Sequence, residues 1–457
     1  MKKVFLLLMA IVAGFSIFAC TPGDGRKTIV FWHTMGKTTD ASQGGQALLN
    51  EFIKEFEELY PEYSEKYRIV HEAKGGYSDL NNAIGKAIPA GNEPHMAYCY
   101  PDHVAGYLRT NRVQKLNTLI SDARIGLTAA EIADYVPAFW AEGSVYGDDS
   151  IYNLPFSKST EVMFYNKTFF AKHNLTMPAE PTWDDILELS KKIKAIENSG
   201  ITTPFGYDSE DNLYITASYQ LGIPYTSVTL QGNTPKGEIL FNSPEAKKMA
   251  SYFYETFIKP GYMTTKELLG GYTSDKFRAS ELVMSVSSTG GTKYNVPTAS
   301  DAGGVFEVGV VPAPRFGRNI IDETKSVKEA FIQQGPSITL FKKADIEVEI
   351  AWQFLKYITA PNQSARFSVP SGYSPVRISS YQEQVMLDLF ADKSSKQSVL
   401  TAEVLDLTSH LSENFFTSPA FAKSAAARQA VGALLVNIFK GKDIDNEFKF
   451  AENSVVV

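Results

Sequence analysis

Thr28-Ile29-Val30-Phe31-Trp32, at the head of residues 28–100, is a short run of β-branched and aromatic residues and reads as a strand. Behind it, Gly44 to Tyr60 carries Leu48, Leu49, Phe52, Phe56 and Leu59 at helical spacing, and Pro61 stops the helix. Arg68 to Ala73 reads as a second strand running into Gly75-Gly76-Tyr77. Ser78 to Ile88 reads as a helix that ends near Pro89 and Gly91, and Met96-Ala97-Tyr98-Cys99-Tyr100 as a short buried strand. The unit is βαβαβ, the repeating element of a doubly wound α/β sheet. Such sheets place ligands at the carboxyl ends of their strands, so the loops starting at His33, Tyr77 and Pro101-Asp102 are expected to meet at one crevice.

Outward from this unit, strands and helices continue to alternate without repeats, low-complexity tracts or a long linker, which points to interleaved α/β domains. Thr182 is placed as an N-cap with Asp185 closing a capping box, and Ser243-Pro244-Glu245 opens another helix. Ala344 to Tyr357 reads as a long amphipathic helix ended by Ala360-Pro361, and the C-terminal third is helix-rich. With 457 residues and 44% hydrophobic content the chain has material for two or three units of ~150 residues each.

At the N-terminus, Lys2 and Lys3 precede an apolar run from Val4 to Phe18 that ends in Ala19-Cys20. This is an export signal, shorter than the ~20 apolar residues of a membrane-spanning helix. Ile17-Phe18-Ala19-Cys20 is similar to a bacterial lipoprotein cleavage box; the alternative is plain secretion with an incidental cysteine. Once Cys20 is set aside only Cys99 remains, so no intrachain disulfide holds the mature fold. A net charge of -7 with no Lys/Arg cluster argues against nucleic-acid binding.

The six histidines, His33, His71, His95, His103, His173 and His410, show no HExxH spacing, so no metal and no other cofactor is expected. Adjacent carboxylates such as Asp148-Asp149 read as solvated surface rather than a glycosidase pair, and no phosphate loop or GxSxG elbow occurs. The chain carries 23 Tyr and 29 Phe, most of which must be core, yet flat amphipathic rings also suit the C–H faces of sugars. At strand ends stand Trp32, His33, Tyr77 behind a diglycine, and Asp102. Ser159, Glu161, Gly290, Thr292 and Tyr294 are the candidates further along.

The stretch Leu154-Pro155-Phe156-Ser157-Lys158-Ser159-Thr160-Glu161-Val162-Met163-Phe164-Tyr165-Asn166-Lys167, followed by Pro181-Thr182-Trp183-Asp184-Asp185, resembles the extracellular solute-binding proteins of carbohydrate and glycerol-phosphate ABC importers, the group that includes the maltose-binding protein. Gly75-Gly76-Tyr77, Ser288-Thr289-Gly290 and Ser371-Gly372-Tyr373-Ser374-Pro375-Val376 add to the likeness in order. The resemblance implies a periplasmic-binding-protein-like fold: two doubly wound α/β lobes joined by a three-segment hinge near Pro155, Pro312 and Ser374. The expected division is a signal peptide at 1–20, a tether at 21–27, lobe I at 28–156 plus 312–374, and lobe II at 157–311 plus 375–457. A ligand trapped between the lobes, permease subunits as partners, a palmitate-bearing lipid anchor on Cys20, an extracytoplasmic location, a monomeric state and no catalysis are further implications.

Resemblance to the glycerol-phosphate binders implies contacts at Tyr77, Ser159, Gly290, Gly335 and Tyr373. Two departures stand out. Pro101-Asp102 occupies the place of a glutamate, and the stretch Phe415 to Phe421 lacks the family's arginine, with none until Arg428. An anionic phosphate wants a guanidinium or a helix N-terminus, so these departures favour a neutral sugar, while Arg377 and Arg428 keep glycerol phosphate open. A surface lectin or adhesin, and a glycoside hydrolase, are the readings of other classes.

Overall fold

The computed structural model describes residues 24–231 and 234–455. The signal segment and Cys20 lie outside the described residues. Of the expected tether, Arg26 and Lys27 already belong to the fold: Arg26 donates to Asp24, Glu57 and the Ser64 carbonyl, and Lys27 opens the first strand.

The strands are β1 (Lys27–His33), β2 (Tyr67–Ala73), β3 (Met96–Cys99), β4 (Asn153–Pro155), β5 (Ser159–Asn166), β6 (Phe205–Tyr207), β7 (Thr226–Gln231), β8 (Thr234–Ile239), β9 (Met263–Thr265), β10 (Met284–Ser288), β11 (Val308–Pro312), β12 (Phe331–Gln334), β13 (Ser337–Leu340) and β14 (Phe415–Phe416). They form a first sheet of order β2-β1-β3-β13-β4, a second of order β14-β12-β5-β10-β6-β9 with β11 also on β5, and the hairpin β7-β8.

β1 lies parallel to both β2 and β3, joined by helices Gly45–Leu59 and Tyr77–Ala87, so the βαβαβ unit forms as read. Leu48, Leu49, Phe52 and Phe56 are the buried stripe of the first helix, packed with Ile29 and Phe31 of β1 against Trp352, Phe354 and Leu355 of helix Asp345–Ile358. Each such side chain contributes about 1.5–3 kcal/mol when fully buried. The Trp352 indole donates to the Ile125 carbonyl at 2.9 Å, which satisfies its one polar atom.

In the second sheet β5 is buried along nearly its whole length between β10 on one side and β11 and β12 on the other. The Thr182 hydroxyl accepts the Asp185 N–H at 3.2 Å and the Asp185 carboxylate accepts the Thr182 N–H at 2.8 Å, closing the capping box of helix Trp183–Lys194. Trp183 sits in an aromatic cluster with Phe253, Phe257 and Phe316, a core role as read. The C-terminal third is helical: Pro361–Ser371, Lys396–Leu411, Ser424–Phe439 and Ile444–Val455. Among the described residues no helix is long and apolar enough to cross a membrane.

The chain passes between the sheets at Phe156-Ser157-Lys158 and again at Gly335-Pro336. A third segment, Gly372-Tyr373-Ser374, joins them where the Ser374 N–H donates to the Lys158 carbonyl at 2.7 Å. The middle passage therefore lies beyond Pro312. That proline ends β11, but residues after it stay with the second sheet, where Arg315 pairs with Thr182 and the Lys328 N–H bonds the Gln220 carbonyl. A proline closes a strand; the change of sheet needs the left-handed backbone of Gly335, φ +85°.

Candidate functional site

Between the two sheets lies a cleft of about 280 Å³. Tyr77, Tyr100, Asp102 and His103 line it at the first sheet's strand ends, Gln333 and Gln334 come from β12 of the second sheet, Asp211 from helix Glu210–Leu221, Tyr225 from the segment before β7, Thr417 to Ala420 from the loop after β14, and Arg428 from helix Ser424–Phe439. Glu142 lines it beside the crossings.

Tyr77 opens its helix, and its ring meets Tyr100 edge-on at 5.0 Å. Its hydroxyl lies 3.2 Å from that of Tyr373. Tyr373 follows Gly372, whose φ of +73° ends helix Pro361–Ser371, and its ring covers Gly290 so closely that a Cβ there would stand 2.9 Å from it. Burial pushes the Tyr373 phenol well above its usual range, and it remains neutral. Asp102 stands in the first turn of helix Pro101–Leu108 and accepts the His103 N–H at 2.9 Å.

Arg428 projects from helix Ser424–Phe439 and donates to Asp211 at 2.9 Å and to the Asn212 side-chain Oδ1 at 2.6 Å. Burial works against its charge, yet Asp211 and Asp102 hold its pKa above the usual guanidinium value. The Asn212 amide donates to Glu161 at 2.8 Å, and Tyr207 donates to the other Glu161 oxygen at 2.5 Å. Burial raises the Glu161 carboxyl to about 7. Glu161 is thus a support behind Arg428, not a wall of the cleft.

Several expected contacts lie elsewhere. His33 is wholly buried: its Nδ1 accepts the Met35 N–H at 2.9 Å, so its Nε2–H donates to His71 at 2.9 Å. Burial, helped by His71, lowers it to about 3, which makes it a neutral core group rather than a ligand contact. Trp32 is half-buried, with the Lys74 ammonium 4.1 Å from its ring centre, and does not line the cleft. Thr292 is buried with its hydroxyl given to the Thr289 carbonyl. Ser159 is buried one strand behind Gln334, its register partner. Arg377 packs over Tyr135 and donates to the Thr359 and Glu131 carbonyls, outside the cleft. Gly335 serves the crossing: a Cβ there would meet the Ser157 carbonyl oxygen at 1.8 Å.

Tyr100, Glu142, Asp211, Tyr225 and Gln333 are cleft residues that sequence reading did not single out. Tyr100 directly follows the third strand and was legible there; the others are brought in by tertiary packing. A buried network underlies the crossings. The Lys158 ammonium donates to Glu142 at 2.6 Å and to the Gly335 carbonyl at 2.8 Å, while Ser337 and Gln333 donate to Glu142 at 2.9 Å each.

The family model described as "Bacterial extracellular solute-binding protein" matches residues 51–393. The chain belongs to this family. Among relatives of this solute-binding protein, the sn-glycerol-3-phosphate-binding periplasmic protein UgpB of Shigella dysenteriae serotype 1 is 22% identical over 367 residues, covering 78% of this chain and 75% of the relative. UgpB of Salmonella typhimurium is 22% identical over 396 residues, covering 83% and 81%. Among solved structures, UgpB from Mycobacterium tuberculosis in complex with glycerophosphocholine superposes with TM-score 0.69 at 17% identity, covering 94% of this chain and 98% of that one. The GacH receptor of Streptomyces glaucescens, solved unliganded and with acarbose, gives TM-score 0.68 at 15% identity, covering 94% and 97%. The architecture of this solute-binding protein is the two-lobed α/β fold of periplasmic binding proteins.

Proposed function

We propose that this solute-binding protein is the receptor of an ABC importer, closing two lobes on a sugar or oligosaccharide and catalysing nothing. The lobes are assigned to the two sheets with Lys158, Gly335 and Ser374 as hinge points. Cys20 would hold the mature protein to a membrane by lipid, near its permease, as a monomer.

The observation that carries the choice of a neutral ligand is the charge of the cleft. Asp102, Asp211 and Glu142 stand against Arg428 and the buried Lys158, and Arg428 is already engaged by Asp211. With Tyr77, Tyr100 and Tyr225 as flat walls, this is the chemistry of hydroxyls at a rim and C–H faces between. The second reading, glycerol 3-phosphate or its diesters, is favoured by one feature: Arg428 does reach the cleft, so a guanidinium is present although residues 415–421 lack one. Calorimetric titration with maltose, glucose and glycerol 3-phosphate separates the two. Binding of a sugar in preference to glycerol 3-phosphate is expected; a strong preference for the phosphate, lost in Arg428→Leu, would replace the first reading by the second.

A further inference from the structure

Lys158 and Glu142 form an ion pair withdrawn from water on both sides, 0% and 2% exposed. Burial lowers the Lys158 pKa and the neighbouring Glu142 opposes that fall. The lysine is where all three crossings meet: it belongs to the first, its ammonium holds the Gly335 carbonyl of the second, and its carbonyl accepts the Ser374 N–H of the third. Glu142, its only counter-charge among the described residues, lines the ligand cleft.

The hydrogen bonds of Glu142 are unevenly shared. Among the described residues Oε1 accepts from Lys158 and Ser337, whereas Oε2 accepts from Gln333 alone, and each carboxylate oxygen has room for two donors. Gln333 is itself 4% exposed and lines the same cleft. Its amide nitrogen must face Glu142, since the flipped amide would set two acceptors together. Its carbonyl oxygen is then left buried with no hydrogen-bond partner among the described residues. A buried acceptor without a donor is costly to keep, and such groups mark functional places.

We propose that Glu142 and Gln333 together receive a hydroxyl of the bound solute beside the hinge and pass its arrival to the crossings through Lys158. This rests on the solute-binding reading above and fixes the ligand's chemistry further. The solute is a polyol that presents a hydrogen-bond donor at the crossings; any anionic group it carries points to Arg428, because Glu142 repels it. For glycerol 3-phosphate this orients the glycerol end inward. The Gln333 carbonyl is closed off in the present arrangement, so a small rotation of the side chain or of the crossing accompanies binding. Glu142 and Gln333 are ligand-positioning residues whose second task is to hold the hinge.

The test pairs protein and ligand changes. Wild type, Gln333→Leu and the double variant Glu142→Gln/Lys158→Met, which removes both buried charges so that neither is stranded, are titrated with maltose and its monodeoxy analogues, and with glycerol 3-phosphate and 3-hydroxypropyl phosphate. Wild type is expected to prefer a parent compound over one deoxy analogue by at least about tenfold, and both variants to lose that preference while binding the analogue unchanged. A purely structural role would weaken parent and analogue alike. Undiminished discrimination in both variants, or equal weakening of parent and analogue, overturns the proposal and leaves the solute-binding reading standing. If wild type responds to none of these probes, that reading falls, and this inference with it.

Discussion

Replacing Gly335 by alanine tests the crossing most sharply. The residue sits at φ +85°, and an added Cβ would lie 1.8 Å from the Ser157 carbonyl oxygen, where real contacts stay beyond 3.0 Å. The left-handed backbone costs an L-residue about 1–2 kcal/mol before any clash is counted. The clash must be relieved by parting the first and second crossings, which are joined by the Lys158 to Gly335 bond of 2.8 Å and by the Ser157 N–H to Pro336 carbonyl bond of 3.1 Å. Losing the hydrogen bond to a buried ammonium costs a further ~1.5–3 kcal/mol. The sum is about 2.5–5 kcal/mol, a fall in Tm of about 3–5 °C in a chain of this size. Scanning calorimetry of the purified protein reads it directly. Gly85→Ala is the control: it lies in a helix, has normal backbone angles and nothing within 4 Å of the new methyl, so it should be neutral or slightly stabilising. A Gly335→Ala protein melting within about 2 °C of wild type would refute the reasoning that this glycine is the sterically required pivot.

His33 has a folded pKa of about 3 against an ordinary 6.5, so its contribution to stability is complete above pH 6.5 and is lost as pH falls toward 3. His33→Gln should flatten the acid limb of a stability-versus-pH curve by up to about 1.4 kcal/mol per pH unit, measured by urea unfolding; an unchanged limb would count against a neutral buried imidazole. Glu161 behaves in the opposite sense. Its folded pKa is raised to about 7, so the stability it brings is present below its ordinary pKa of 4.5 and is lost as pH rises through 7. Glu161→Gln should therefore raise Tm relative to wild type at pH 8 and not at pH 4.5; the reverse ordering would show that Glu161 is held ionised. Tyr373→Phe removes the hydroxyl that meets Tyr77 while keeping the ring on Gly290, so Tm should change by less than about 3 °C, whereas Tyr373→Ala opens the packing against Phe367 and lowers Tm much further. Equal melting of the two variants would show that the ring does not fill this space.

What was legible in the sequence follows from range. The βαβαβ unit at 28–100, the caps at Thr182 and Ser243 and the long helix near 345–358 are local: periodicity, a hydroxyl at the N-cap and a stopping proline specify them, and all form within one or two residues of their expected ends. The insertion of β13 between β3 and β4 could not be read, because Ile338 pairs with Tyr98 and Leu154, both far away in the sequence. For the same reason Pro312 looked like a crossing when the real one was Gly335.

In the site, Tyr77 and Asp102 could be placed from strand ends, and both line the cleft. His33 stood in an equivalent position, but its side chain turns inward to His71, a choice that period-two alternation decides and loop position does not. In the sequence Arg428 is an arginine that keeps glycerol phosphate open, although it lies beyond the stretch 415–421. Its helix nevertheless brings it to Asp211 and Asn212, because helix Ser424–Phe439 packs along helix Glu210–Leu221. Asp211 and Tyr225 entered only with that packing.

The central claim is that the cleft between the lobes takes up a small polyol. Thermal-shift measurement of the purified wild-type chain against mono- and disaccharides, glycerol 3-phosphate and its diesters tests it most directly, because a solute bound only by the folded form raises Tm by mass action. A rise of several degrees, saturating with concentration for one class of solute and reduced in Arg428→Leu or Gln333→Leu, is the predicted result. A Tm unmoved by every solute at millimolar concentration would contradict it.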